Sequence, residues 1–219
     1  MKCQAIIFDM DGTIVDTDLI WNQVTRTLIE RRGVLFTPEL EQQLHERIKG
    51  LAMHKSCQVI KDLTAITDPL EDLIKEKSAL AISMYKTGIT FIPGFVEFHK
   101  KLQEKQLKLG LATNADDATL QTTTQAVKLD NFFGEHLYNI SCVGNVCKPD
   151  PAIYTHVAKQ LAVAPEACIA IEDSFHGVMA AKRAGMRCIG INTGKDRDAL
   201  RYADVIVEGY ADIDLESLL

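Results

Sequence analysis

The chain has 219 residues, 47% of them hydrophobic and 25% charged, with a formal net charge of −6. That length supports one large core, or a core with a modest second lobe, and the acidic balance argues against nucleic acid or an anionic membrane as the main partner. No run of about 18 apolar residues is present, so no transmembrane helix is expected. Cys3, Cys57, Cys142, Cys147, Cys168 and Cys188 are scattered and form no CxxC pair, which favours free thiols in a reducing compartment over disulfides or zinc. The strand-like run that starts at residue 5 leaves no room for a signal peptide. Cytoplasmic localisation is therefore expected, and the Asn139-Ile140-Ser141 sequon is read as accidental.

The first element is the apolar run 5–8, which breaks into Asp9-Met10-Asp11-Gly12-Thr13. Side chains at i and i+2 of an extended segment point the same way, so both carboxylates face one small volume. Two such charges about 4 Å apart repel by about 4 kcal/mol at an effective dielectric near 20. A pair like this tends to be protonated, paired with a cation or bound to a metal; taken alone, a surface turn rich in Asp and Gly is an equal reading.

Residues 17–86 carry no convincing strand. Trp21, Val24 and Leu28 form a helical stripe, and further helices are expected near 38–49, 54–64 and 70–85, with Thr37-Pro38 and Asp68-Pro69 as helix starts. A helical block this long exceeds a βα connection. It reads as a separate lobe, residues 16–87, inserted into a domain made of 1–15 and 88–219, with hinges at 14–16 and 88–93. Beyond residue 90, apolar runs at 107–112, 137–142, 168–171, 187–191 and 205–207 alternate with amphipathic stretches such as Phe95, Phe98, Leu102 and Ile153, Val157, Leu161. Strands that are apolar throughout, separated by helices, predict an α/β fold: a Rossmann-like parallel sheet covered on both faces.

In open parallel sheets ligands bind outside the carboxyl ends of the strands. That rule gathers four polar stations: Asp9 and Asp11; Thr113-Asn114-Ala115; Lys148-Pro149-Asp150-Pro151; and Glu172-Asp173-Ser174. Asp9, Asp11, Glu172 and Asp173 crowd negative charge that Lys148 alone does not offset, whereas Mg²⁺ suits a few carboxylates with a phosphate and waters. Lys148, the Thr113 hydroxyl and backbone N–H groups around Asn114 would supply donors to phosphate oxygens. An aspartate beside a metal and a phosphate cradle points to phosphoryl transfer through an aspartyl-phosphate. Blander readings stand beside these. Lys148 is a solvated lysine, Thr113 an N-cap for a helix near residue 116, Glu172 and Asp173 the acidic start of a helix, and His176 a first-turn helix residue. The segment 190–195 is too short for a phosphate loop, and Asp196 stands where that loop needs Ser or Thr.

Asp9-Met10-Asp11-Gly12-Thr13, Thr113-Asn114, Lys148-Pro149 and Glu172-Asp173-Ser174 resemble, in order and setting, the four signatures of the haloacid dehalogenase-like superfamily. The similarity is nearest to its β-phosphoglucomutase-like branch of sugar-phosphate phosphatases and mutases, with the helical block resembling that branch's small cap. The resemblance implies Asp9 as nucleophile and Asp11 as general acid and base, Asp11 also ligating metal through its backbone carbonyl. It implies Thr113, Lys148 and Asn114 as phosphoryl-binding residues, and Asp9, Asp173 and Glu172 around Mg²⁺. Dehalogenation is not implied, because dehalogenating members generally lack the second acid.

Trp21 has two readings: packing between cap helices, or reaching over the pocket. In mutases of the branch a histidine stands near this position, and 2-deoxyglucose-6-phosphatase-like members carry a tryptophan. Lys49-Gly50-Leu51-Ala52-Met53 resembles the cap loop that reads the substrate, and mutases commonly have an arginine where Met53 stands. Both departures favour, over a phosphomutase, a phosphatase of a small monophosphate, a sugar phosphate being expected and hexose, deoxysugar, nucleotide and glycolate phosphates all standing open. His54 and Lys55 either compensate for that arginine or are solvated. A receiver-type phosphoacceptor domain shares the chemistry but is shorter and lacks the helical lobe. A monomer is expected, since the cap shields the pocket without a partner subunit.

Overall fold

The protein is described by a computed structural model covering residues 2–86 and 88–218. In chain order its elements are β1 (Ala5–Phe8), β2 (Val15–Asp16), α1 (Asp18–Glu30), α2 (Pro38–Ile48), α3 (Met53–Thr64), α4 (Leu70–Tyr85), β3 (Thr90–Phe91), α5 (Phe95–Glu104), β4 (Lys108–Thr113), α6 (Asp117–Val127), α7 (Asp130–Phe133), β5 (Leu137–Asn139), α8 (Ala152–Gln160), β6 (Cys168–Glu172), α9 (Phe175–Arg183), β7 (Arg187–Ile191) and β8 (Val205–Val207).

Six strands form one parallel sheet in the order β5-β4-β1-β6-β7-β8. Counted along the chain this is the doubly wound order 3-2-1-4-5-6, whose direction of winding reverses beside β1. The strands are apolar throughout because each face has its own helical layer. Ile6 and Phe8 join one core with Leu109, Leu111, Ile169 and Ile171, while Ala5 and Ile7 join another with Ile153, Val157 and Val178. Phe8 meets Phe95 and Phe133 edge-on at 5.7 Å each. Burying an aromatic or branched side chain in this way contributes about 1.5–3 kcal/mol.

The four helices α1–α4 lie between β2 and β3 and build a core of their own from Leu28, Ile29, Phe36, Leu44, Cys57, Ile60 and Leu73. Local signals fix α2: Thr37 Oγ1 accepts from Leu40 N at 3.2 Å, and Pro38 occupies the first turn. Arg32 clasps Asp68 and Glu76 at 2.9 and 2.8 Å, holding the α1 end against α4. Among the described residues, no helix is long and apolar enough to cross a membrane. All six cysteines are free.

Three details differ from the sequence expectation. The run 137–142 is a strand only to Asn139, where Asn139 Oδ1 accepts from Ser141 N and turns the chain into a 3-10 segment. Strands β4 and β6 each extend one residue further, to Thr113 and Glu172, because these polar residues still pair with Asn139 and Gly190 in the ladder. The stretches expected as simple hinges carry β2 and β3, a two-residue antiparallel ribbon pairing Val15 with Phe91. Strands that short leave no periodicity to read.

Candidate active site

The sheet's carboxyl edge delivers the four stations to one pocket beneath the helical insert. Asp9, Asp11, Thr113 and Lys148 line its floor, with Trp21 and Lys77 above. The turn after β1 requires a glycine: Gly12 has φ +77°, and a Cβ there would lie 2.2 Å from Asp173 Oδ2.

Lys148 is buried at the centre of the floor. Its ammonium donates to Asp9 Oδ1 at 2.5 Å, Glu172 Oε1 at 2.6 Å and the Ala112 carbonyl at 2.9 Å. A fourth acceptor, Tyr154 Oη, lies 3.5 Å from the ammonium. Burial works against the charge, but Asp9 and Glu172 outweigh it and hold the lysine pKa above its ordinary value. Glu172 is fully buried; its Oε1 also accepts from Tyr154 Oη at 2.7 Å and its Oε2 from Ser174 Oγ at 3.2 Å. Lys148 is therefore not a solvated surface lysine.

Asp9 is pushed well above the usual carboxylate range, first by burial and then by Glu172, with Lys148 opposing and Asp173 adding to the rise. Asp173 is pushed up to about 7 by burial, with Lys49 pulling down and Glu172 pushing up. Keeping both ionised near neutrality calls for more positive charge than Lys148 brings. Asp9, Glu172 and Asp173 each offer an oxygen, all within 4.8 Å of one another. Among the described residues, Asp173 Oδ2 is buried without a hydrogen-bond donor, its close cation being Lys49 Nζ, 2.9 Å away but outside hydrogen-bond geometry. A buried all-oxygen donor set with an orphaned oxygen fits Mg²⁺.

Thr113 Oγ1 accepts from Ala115 N at 3.0 Å, which leaves its hydroxyl proton available toward the pocket. The N-cap reading of Thr113 is corrected: Asp116 caps α6, its Oδ1 accepting from Thr119 N at 2.7 Å. The Asn114 side chain is a brace, donating to the Gly50 carbonyl at 2.8 Å and accepting from Lys148 N at 3.0 Å. His176 sits in the first turn of α9, as expected, behind the Ser174 cap.

The insert contributes more to the pocket than the sequence indicates. Lys49 pairs with both Asp18 at 3.4 Å and Asp173, bridging insert and sheet edge. Trp21 takes the pocket-facing reading, donating from Nε1 to Asp11 Oδ1 at 3.2 Å. Lys77, Ser56 and Tyr85 were not expected. Lys77 Nζ donates to Ser56 Oγ at 2.7 Å, faces the Trp21 ring, and has no carboxylate partner among the described residues; burial lowers its pKa to about 8. Tyr85 Oη donates to Asp11 Oδ1 at 2.8 Å. The available signal was a buried α4 stripe of Leu73, Lys77, Ala81 and Tyr85, with a lysine in an otherwise apolar four-residue spacing. His54 and Lys55 are exposed, in keeping with their solvated reading.

A family model described as haloacid dehalogenase-like hydrolase matches residues 6–191. The chain is 30% identical over 197 residues to a phosphorylated carbohydrates phosphatase of Thermotoga maritima, covering 88% of each chain. It is 28% identical over 222 residues to a beta-phosphoglucomutase of Bacillus subtilis, covering 98% of this chain and 93% of that one. Among solved structures, a HAD family hydrolase of Deinococcus radiodurans with bound phosphate and sodium is similar at 25% identity and a TM-score of 0.74, covering 96% of this chain and 93% of that one.

Proposed function

The chain belongs to the haloacid dehalogenase-like hydrolases, and on that premise we propose that it is an Mg²⁺-dependent phosphatase of a small phosphorylated carbohydrate. Its phosphatase-named relative supports a phosphoric monoester hydrolase acting on phosphorylated carbohydrates. The observation that carries the reading is the buried constellation of Asp9, Glu172 and Asp173 around Lys148 at the sheet's carboxyl edge.

Asp9 is the nucleophile, its carboxylate oriented by Lys148 toward the phosphorus. Asp11 protonates the departing oxygen and then takes a proton from the water that hydrolyses the aspartyl-phosphate. Lys148, the Thr113 hydroxyl and the backbone around Asn114 meet the phosphoryl oxygens; Glu172 keeps Lys148 in place. Asp9, Asp173 and the Asp11 carbonyl would hold Mg²⁺, with Glu172 adjoining; the ion supplies charge stabilisation for the transferring group. Residues 16–87 serve as the cap, excluding water and presenting Lys77, Ser56, Trp21 and Lys49 to the rest of the substrate. The pair of Lys77 and Ser56 suits an oxygen-rich group such as a sugar hydroxyl.

The test is phosphate release across a panel of carbohydrate monophosphates with and without Mg²⁺. Steady, Mg²⁺-dependent release from at least one supports the reading. A single stoichiometric phosphorylation without turnover would replace it with a phosphoacceptor. Interconversion of hexose 1- and 6-phosphates without net release would replace it with a phosphomutase.

A further inference from the structure

Asp11 is held in an unusual way. Its Oδ1 accepts from Thr17 Oγ1 at 2.7 Å, Tyr85 Oη at 2.8 Å and Trp21 Nε1 at 3.2 Å, while no donor among the described residues bonds Oδ2. A carboxylate oxygen has two lone-pair sites, so three donors saturate Oδ1 and leave Oδ2 as the oxygen able to carry a proton. The donors come from both crossings between sheet and insert. Thr17 stands at the N-cap position of α1 and Trp21 lies one turn in, whereas Tyr85 is the last residue of α4. The Trp21 and Tyr85 rings meet edge-on at 5.8 Å, which fixes each donor against the other. Tyr85 is buried, and toward a carboxylate oxygen its hydroxyl acts as the donor.

We propose that Tyr85, with Trp21, is a positioning residue that selects Oδ2 of Asp11 as the proton-carrying oxygen, and does so only when α1 and α4 are both seated over the sheet edge. The proposal rests on the assignment of Asp11 as general acid and base. In the first half-reaction an Asp9 oxygen forms the bond to phosphorus, the ester P–O bond breaks, and the Oδ2 proton passes to the departing alkoxide oxygen. In the second, water forms the new bond to phosphorus, the aspartyl O–P bond breaks, and the water's proton returns to Oδ2. The clamp ties both proton transfers to the seating of α1 and α4 over the sheet edge.

The experiment compares kcat/KM for the carbohydrate monophosphate released fastest in the panel with kcat/KM for p-nitrophenyl phosphate, whose leaving group departs without protonation. Tyr85→Phe keeps the buried ring and Trp21→Phe keeps an aromatic ring at a half-buried position, and each removes the donor. Each is expected to lower the carbohydrate-to-aryl ratio about tenfold, and Tyr85→Phe to leave it unmoved in an Asp11→Asn background. Equal losses on both substrates, or a further drop in the Asp11→Asn background, would overturn the clamp while leaving the role of Asp11 standing. An Asp11→Asn protein with a wild-type ratio would instead overturn that role, and the clamp with it. Should Tyr85→Phe fail to fold, Trp21→Phe is read in the wild-type and Asp11→Asn backgrounds alike: a drop confined to the former supports the clamp, and a drop in both marks a lost substrate contact and overturns it.

Discussion

Two lysines in this molecule are equally hidden from water and opposite in character. Lys148, on the sheet's carboxyl edge, is 1% exposed and Lys77, in the helical insert, 2%. Lys148 has two carboxylates on its ammonium and a pKa raised above the ordinary value against the pull of burial. Among the described residues, Lys77 has a serine hydroxyl and an indole face but no carboxylate, and burial takes its pKa down to about 8. Burial alone therefore does not decide a lysine's charge; the neighbours that the fold supplies do. At the sheet edge the Lys148 ammonium is answered within the protein by two carboxylates, whereas the insert leaves a cationic group facing the pocket for a ligand to answer.

The largest effect that would test this contrast is on chemistry. Asp9→Asn keeps an acceptor for Lys148 but removes the nucleophile, so turnover should fall at least about 10⁴-fold with an unchanged circular dichroism spectrum. No phosphoenzyme should appear on acid quench; a folded Asp9→Asn protein with near-normal phosphate release would end the covalent mechanism. Next comes the sheet edge. Lys148→Met strands Asp9 and Glu172 as buried carboxylates and should cost about 3–5 kcal/mol in urea denaturation at neutral pH. A loss no larger than a surface substitution would mean that these charges do not depend on one another.

The open side predicts the opposite sign. Lys77→Met removes a buried ammonium that has no counter-ion, and Ser56 Oγ keeps its bond to the Met53 carbonyl. The folded-state pKa lies near 8 against an ordinary 10.5, so below pH 8 the wild type bears the cost of charging a buried group. That cost is at most about 3 kcal/mol. The unfolded chain holds its proton up to about pH 10.5, so wild-type stability gains on the variant as pH rises through this window. Lys77→Met should thus be more stable by about 1–3 kcal/mol at pH 7, with the advantage shrinking from pH 8 toward 10.5, and its KM for the carbohydrate phosphate should rise. A variant less stable than wild type at pH 7 would contradict the absence of a counter-charge. The smallest effect concerns Lys49, which occupies Asp173 Oδ2. Lys49→Ala should tighten Mg²⁺ binding about three- to tenfold by calorimetry; weaker binding would show that Lys49 organises Asp173 rather than competes for it.

The sheet and its polar edge were legible because each rests on local pattern plus one topological rule. Ala5-Ile6-Ile7-Phe8 is apolar at every position, which a strand tolerates only when both faces are covered, and both are. Asp9 and Asp173 directly follow strands, Thr113 ends β4 and Lys148 lies in the loop after β5, and parallel strands in one sheet bring their carboxyl ends together. The short ribbon of β2 and β3 was not legible, since two residues carry no period, and the early end of β5 depended on Asn139 folding back on its own backbone.

The sequence by itself thus determined the α/β class, the helical insertion and the acidic and basic residues of the sheet edge, because periodicity and strand ends are properties of neighbouring residues along the chain. Only the tertiary structure decided that Glu172 braces Lys148, that Lys49 reaches Asp173, and that Thr17, Trp21 and Tyr85 converge on one oxygen of Asp11. Those contacts join residues up to 124 positions apart, as Lys49 and Asp173 are. A hydrogen bond or ion pair is set by ångström-scale distance and angle, which no one-dimensional spacing encodes.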